Sequence, residues 1–280
     1  MNSVFLFPGK GSQSSGMGKD LFSRFPELVE ECNSILGYSI QELCLDEDTS
    51  KLNLTNYTQP ALYIVSCLQA RSLLEEGKKP SFAAGHSVGE FAALQCAKAF
   101  SFYDGLRMVI KRGEIMSKVT GGAMAAVIGL DSDKISAILE AENADQVDLA
   151  NFNSPGQIVI SGIAEQIKRV IEPIKQGGAR MVVPLKVSGA FHSRMMQNPA
   201  EEFEMFIDEF KFSMPIFPVF SNVHAKPYDS IELIPNLLVK QIYSPVRWTE
   251  VIQGIRAMGE GDFMECGPGN VLTKLLKQIP

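Results

Sequence analysis

The stretch Ala84-Gly85-His86-Ser87-Val88-Gly89-Glu90 constrains this chain more than any other. Residues 81–84 before it are short, small and apolar, the texture of a buried strand. Residues 91–97 after it are apolar and helix-forming. A serine on so sharp a strand-to-helix turn is held in a strained backbone conformation, with its hydroxyl projecting from the end of a sheet. Gly85 and Gly89 have no Cβ to obstruct that turn. The helix starts at once, so backbone N–H groups and the positive helix end face the hydroxyl. Such a site favours an acyl-serine ester and its oxyanion. G-x-S-x-G alone is a common string, and a chance glycine pair around a turn is the alternative. The strand before it and the helix after it weigh for a nucleophile at Ser87.

A nucleophile needs a packed body behind it. At 280 residues and 45% hydrophobic content, the chain can build one large domain or two small ones. The net charge is −6 and no long basic run appears, which argues against nucleic acid as a partner. The five cysteines (Cys32, Cys44, Cys67, Cys96, Cys266) are scattered and odd in number, and none forms C-x-x-C. Neither a zinc site nor a disulfide framework is suggested, and they read as reduced, cytoplasmic thiols. The apolar run at 4–7 is too short for a signal peptide, and no run reaches membrane-spanning length.

Residues 3–7 read as a buried first strand running into the glycine-rich loop Pro8-Gly9-Lys10-Gly11-Ser12-Gln13-Ser14-Ser15-Gly16-Met17-Gly18. The spacing refuses a phosphate-binding fingerprint. After Gly9-Lys10-Gly11 the third glycine of a dinucleotide motif would fall at Ser14, and a P-loop would need a glycine five places before Gly9, where Val4 stands. The loop either offers backbone N–H groups at the strand end or is a plain surface turn. Helices follow at 26–36 and 58–76, the latter opened by Thr58-Gln59-Pro60 and stopped at Gly77. Another, opened by a capping-box-like Ser101-Phe102-Tyr103-Asp104, runs to about 119. It carries Arg112, with Met108, Ile115, Met116 and Val119 at helical spacings and no acid three or four places away. A guanidinium on an apolar face wants a carboxylate from elsewhere; a salt bridge to a distant Asp or Glu would supply one.

Texture changes at Gly121-Gly122. The order becomes strand 123–128, helix 131–142, strand 147–151, strand 157–161, helix 164–176 and strand 179–187. This is the β-α-β-β-α-β order of a ferredoxin-like subdomain. The main unit resumes at Ser188 with a helix at 195–210, a strand at 216–220, helices at 231–241 and 248–258, a strand at 263–265 and a terminal helix. The expected architecture is an α/β unit over 1–122 and 188–280 with a small subdomain, 123–187, inserted in it.

A serine nucleophile needs a neighbouring base, most often histidine. The chain has three. His86 adjoins Ser87, and its side chain should point away across the turn. His192 lies among small residues just after a strand, where it can face a cleft. His224, in Ser221-Asn222-Val223-His224, also follows a strand. His192 is the better placed, His224 stays open, and no acid stands out to orient either.

Seven motifs occur in order along the chain: Phe7-Pro8-Gly9-Lys10-Gly11-Ser12-Gln13, Gly85-His86-Ser87-Val88-Gly89-Glu90, Arg112-Gly113-Glu114-Ile115-Met116, Asn151-Phe152-Asn153-Ser154-Pro155-Gly156-Gln157, Phe191-His192-Ser193, Gln241-Ile242-Tyr243-Ser244-Pro245-Val246 and Glu265-Cys266-Gly267-Pro268-Gly269. Together they resemble malonyl-CoA:acyl-carrier-protein transacylases, with the nearest likeness to free-standing acyltransferases that serve polyketide synthases. The resemblance implies an α/β-hydrolase-like large subdomain with a ferredoxin-like insertion and the active site between them. It makes Ser87 the nucleophile and His192 the base, and it replaces the missing acid by the backbone carbonyl of Gln241. It makes Arg112 the clamp for the free carboxylate of malonate, a use suited to a planar guanidinium. The backbone N–H groups of Lys10 and Val88 become the oxyanion hole. Phe191, Met116 and Asn153 join Arg112 as substrate-binding residues, Phe191 leaving little room for an α-methyl.

The family usually has glutamine where Lys10 stands, so a cation beside the acyl site is a departure. The implied partners are malonyl-CoA and a holo acyl carrier protein, with no metal or redox cofactor, in a cytoplasmic monomer. Carrier proteins are acidic, so a locally basic docking surface is expected. Arg180, Lys186 and Arg194 are candidates for it, or else ordinary solvated charges. An editing acyl hydrolase on the same scaffold, or a non-catalytic docking protein, are the alternative functions.

Overall fold

The computed structural model describes residues 2–187, 189–259 and 261–280. In chain order the elements are β1 (Asn2–Phe7), α1 (Lys19–Arg24), α2 (Pro26–Leu36), α3 (Ile40–Leu45), α4 (Thr55–Glu75), β2 (Pro80–Gly85), α5 (Gly89–Cys96) and α6 (Phe102–Lys118). Then come β3 (Gly122–Ile128), α7 (Ser132–Ala141), β4 (Val147–Ser154), β5 (Gln157–Ile163), α8 (Ala164–Gln176) and β6 (Met181–Pro184). A 3-10 turn at Arg194–Met196 leads into α9 (Gln197–Ile207), followed by β7 (Val219–Phe220), α10 (Leu233–Tyr243), α11 (Trp248–Met258), β8 (Gly261–Glu265) and α12 (Val271–Leu276).

Among the described residues, two four-stranded sheets result. The first is parallel, in the order β7-β2-β1-β8. Its first strand, β1, is a continuous apolar run, as a strand covered on both faces must be. Alternation sorts it: Phe5 and Phe7 enter the large core with α4, α5 and α6, whereas Val4 and Leu6 enter a second cluster with Trp248, Val251, Ile255 and Leu275. The second sheet is antiparallel, in the order β4-β5-β3-β6, the ferredoxin-like arrangement expected. Here Ala125 and Val127 of β3 pack under α7 and α8, while Met124 and Ala126 face the large core. Both faces of β3 are therefore covered. The edge strand β4 of this sheet is also tied to the α10–α11 connection: Phe152 N–H donates to the Val246 carbonyl at 2.9 Å, and Val246 N–H to that of Ala150 at 2.9 Å. The expected boundary between 187 and 188 falls beside Ser188, outside the described residues.

Parallel neighbours end on the same side of a sheet. The loops after β1, β2 and β7 therefore emerge together at the carboxyl edge, where α/β folds place their sites. These loops carry Lys10, Ser87 and Asn222.

Several elements differ from expectation, each for a local reason. α4 starts at Thr55, one turn before the expected 58, because the Thr58 hydroxyl donates to the Leu52 and Leu54 carbonyls at 2.6 and 2.9 Å and ties that turn down. The strand expected at 216–220 keeps only Val219–Phe220, since Ile216 N–H is diverted to the Ala97 carbonyl at the end of α5. β6 is shorter than 179–187; beyond Pro184 the chain peels off through a tight turn, Val187 N–H to Leu185 O at 2.9 Å. The helix expected at 195–210 opens as the 3-10 turn, with Ser193 Oγ accepting from Met195 N–H.

α5 lies hard against β1, and Gly89 makes that possible. A Cβ there would stand 2.1 Å from the Phe7 carbonyl oxygen, and one at Gly85 would stand 2.0 Å from Gly89. Neither glycine has a positive φ; both are needed for close approach alone. Gly89→Ala is expected to lower unfolding free energy by more than about 2 kcal/mol, because backbone rather than a movable side chain must give way. A urea midpoint equal to that of the parent would count against this packing.

Candidate active site

Ser87 sits between the carboxyl end of β2 and the first turn of α5 with φ of 52°, the left-handed conformation expected of a strained serine turn. Asn222, fully buried after β7, pins it. Its Oδ1 accepts from Ser87 N–H at 2.7 Å, and its Nδ2 donates to the Gly85 carbonyl at 2.7 Å. One amide thus braces both sides of the nucleophile.

His192 reaches the serine from the loop after β6. Its Nε2 is 2.8 Å from Ser87 Oγ, and its Nδ1 is 2.7 Å from the backbone carbonyl of Gln241 near the end of α10. A carbonyl can only accept, so Nδ1 carries the proton and Nε2 is free to take one from the serine. Burial, and then the nearby charge of Arg112, pull this imidazole down to about 3, so it is neutral at physiological pH. His192 also has a positive φ, 58°, so both partners of the pair are held in uncommon backbone conformations. His86 is bonded to Asn153 instead, its Nε2 2.8 Å from Oδ1, and His224 is exposed. Of the three histidines, His192 is the one in contact with Ser87.

Arg112 is buried on α6, with Met108, Ile115 and Met116 buried around it. No salt bridge holds it among the described residues. Its Nη1 donates to Gln59 Oε1 at 2.6 Å, and its Nη2 to Gln241 Oε1 at 2.8 Å and to Ser87 Oγ at 3.2 Å. Its Nε–H, although buried, has no acceptor among the described residues. A carboxylate does lie nearby, one amide away: Gln241 Nε2 donates to Glu90 Oε2 as well as to the Ser87 carbonyl. Glu90 is itself fully buried in the first turn of α5 and accepts from Tyr228 Oη at 2.6 Å and Asn222 N–H at 3.2 Å. Burial raises its pKa to about 7 against the pull of those donors and Arg112; burial lowers Arg112 to about 9, with Glu90 opposing.

These groups border a single cleft. Ser87, Val88, His192, Arg112, Met116, Phe191 and Lys10 all line it. The backbone N–H groups of Lys10 and Val88 have no acceptor among the described residues. Lys10 Nζ donates to Thr55 Oγ1 at 2.7 Å. Asn153 is the exception among the expected substrate-binding residues: its side chain is taken by His86, and Asn151 of the same strand lines the cleft instead. Arg194 needs correction as well. It is not a free docking cation but is clasped to Asp148 of β4, with Nη2 2.6 Å from Oδ1 and Nε 3.0 Å from the same oxygen. Gln59, Glu90, Asn222 and the side chain of Gln241 escaped sequence reasoning. Only Glu90 carried a signal, a lone acid at the head of the apolar run 91–97.

Comparison with known proteins bears on this constellation. Residues 4–279 match the family model described as the acyl transferase domain. The chain is 48% identical over 278 residues to the polyketide biosynthesis malonyl CoA-acyl carrier protein transacylase PksC of Bacillus subtilis, covering 99% of this chain and 96% of that protein. The crystal structure of a malonyl CoA-acyl carrier protein transacylase from Burkholderia pseudomallei superposes with a TM-score of 0.96 at 41% identity, covering 100% of this chain and 98% of the other. A type II polyketide synthase acyl-carrier protein in complex with its malonyl-transacylase gives 0.95 at 40% identity, covering 100% and 93%.

The buried carboxyl of Glu90 has a consequence for stability. Its folded pKa is raised to about 7, above the unfolded value, so its contribution is full below the unfolded pKa and is lost as pH rises through 7. Glu90→Gln, which keeps the shape and removes the titration, is expected to gain on the parent by ~3 kcal/mol between about pH 4.5 and pH 8. Denaturant unfolding of both proteins across that range checks it; a constant difference would place the ionisation elsewhere.

Proposed function

The chain belongs to the malonyl-CoA:acyl-carrier-protein transacylase family of acyl transferases, and on that footing we propose that it carries malonyl groups from malonyl-CoA, through an ester on Ser87, to the phosphopantetheine thiol of an acyl carrier protein in polyketide synthesis. The observation that supports this most is Arg112, a buried guanidinium 3.2 Å from the serine hydroxyl with an unanswered Nε–H. Such a cation costs folding energy unless a carboxylate completes it. A hydrolase of neutral acyl chains would gain nothing from it, and the relatives named above are transacylases.

The steps follow from the geometry. His192 Nε2 takes the Oγ proton as Ser87 attacks the thioester carbonyl. The resulting oxyanion is received by the N–H groups of Lys10 and Val88. The imidazolium is steadied through Nδ1–H by the Gln241 carbonyl, where a triad would use a carboxylate. Collapse breaks the C–S bond, and coenzyme A leaves with the proton from Nε2. The carrier thiol then gives its proton to His192, its sulfur attacks the ester, and Oγ recovers the proton. Throughout, the malonyl carboxylate is forked on Arg112 and the Phe191 ring crowds the α-carbon. The chemistry is carried by side chains and backbone N–H groups and calls on no cofactor beyond the coenzyme A ester.

Arg180 and Lys186 are exposed and remain candidates for meeting an acidic carrier. Buried, unpaired cysteines suit a reducing, cytoplasmic setting, and no described helix is long and apolar enough to cross a membrane. The protein is read as acting as a monomer.

Ser87→Ala is expected to remain folded and to show no malonyl mass increment after malonyl-CoA, as read by intact-mass analysis; an increment on that variant overturns the assignment. His192→Ala should acylate ~10²–10⁴-fold more slowly in single-turnover measurements, and an unchanged rate would remove it as the base. Arg112→Ala should lose malonyl preference over acetyl by roughly one to two powers of ten, the ~1.5–3 kcal/mol of a charged hydrogen bond. The same preference in variant and parent would make Arg112 structural.

A further inference from the structure

The acyl pocket holds a second cation that the steps above leave unused. Lys10 follows β1 by three residues, and its long stem could have carried the ammonium to solvent. Instead it turns inward. Nζ donates to Thr55 Oγ1 at 2.7 Å and stands 5.7 Å from the centroid of the Phe191 ring. An ammonium has three donors, and Thr55 is the one acceptor it meets among the described residues. Thr55 and Gln59 lie one turn apart on α4, and Gln59 holds Arg112. One face of α4 therefore presents both cations to the same cleft. Among the described residues, no aspartate or glutamate lines that cleft.

The surroundings say which part of a substrate Lys10 meets. It lies against Phe191, the ring assigned to the acyl α-carbon. A second opening beside His192, lined by Phe152, Tyr243 and Pro245, does not include Lys10. The ammonium is thus on the acyl side of the serine.

We propose that the Lys10 ammonium is a specificity-determining contact for the free carboxylate of the acyl group, shared with Arg112, so that two cations together select acyl groups ending in a carboxylate. This rests on the malonyl-transfer reading and refines its substrate class. One incoming carboxylate then answers both cations, and a neutral acyl group leaves both without a counter-charge. Burial lowers the Lys10 pKa to about 8, so the second contact weakens as pH rises through that value. The other titratable groups facing the cleft are Arg112 from α6, His86 from the serine turn and His192. Glu90 lies behind Gln241. All are common to parent and variant, so the difference between the two isolates Lys10.

The test compares kcat/KM for acylation of Ser87 by malonyl-CoA and by acetyl-CoA, in the parent, Lys10→Gln and Lys10→Arg, from about pH 6.5 to 9. This parameter reports ionisations of the free enzyme. Lys10→Gln retains a donor for Thr55 and removes the charge. It should lower the malonyl-to-acetyl ratio roughly tenfold or more near neutral pH, and the gap from the parent should close above about pH 8. Lys10→Arg should keep the ratio and hold it across the range. An identical ratio in Lys10→Gln and parent at every pH, with malonyl adducts on both, overturns this inference and leaves the function standing. Absence of any malonyl adduct on the parent overturns both.

Discussion

Gln241 holds the site together. Its backbone carbonyl fixes the tautomer of His192, its Oε1 takes Arg112, and its Nε2 is divided between Glu90 and the Ser87 carbonyl. The residue is fully buried near the end of α10, so none of these bonds competes with water. An amide suits the post because it accepts and donates at once. A carboxylate there could not donate to Glu90, and an ammonium could not accept from Arg112. The usual third member of a serine triad is thus split in two. A neutral carbonyl holds His192, and the carboxyl of Glu90 stands one amide further off from the Arg112 guanidinium.

That displacement has an electrostatic logic. A carboxylate in direct contact with Arg112 would satisfy it and leave it nothing to offer a ligand. Through Gln241 the charge of Glu90 is felt while Arg112 Nε–H stays without an acceptor among the described residues. His192 is meanwhile kept neutral by burial and by the same guanidinium. A base that starts neutral can accept the serine proton.

What the sequence made legible was whatever is written locally. The serine turn, the helix of Arg112 and its apolar face, and the β-α-β-β-α-β order of the insertion all depend on residues within a few places of one another. The choice between His192 and His224 could not be made from spacing, because it depends on which loop curls back to the carboxyl edge of the parallel sheet. The Gln241 carbonyl came from family likeness alone. Asn222 and Gln59 gave no signal, since an amide has no periodicity to betray it. Asn153 was misplaced for the opposite reason: it sits in a recognisable motif, yet His86 stands between it and the cleft. The strand at 216–220 was overlong because apolar composition cannot reveal that Ile216 spends its N–H on α5.

The alternation of β3 has a bearing on how such a protein can be rebuilt. Ala125 and Val127 belong to one core, and Met124 and Ala126 to the other. The inserted sheet is in this sense a party wall, owned by both rooms. Exchange of the insertion between homologues must therefore carry over the residues of the large body that meet Met124 and Ala126, together with the Asp148–Arg194 clasp and the strand-like seam at Val246. Cut at the chain's own crossing points alone, the transplant would arrive with one side of its wall unplastered, and that side forms the ceiling of the cleft.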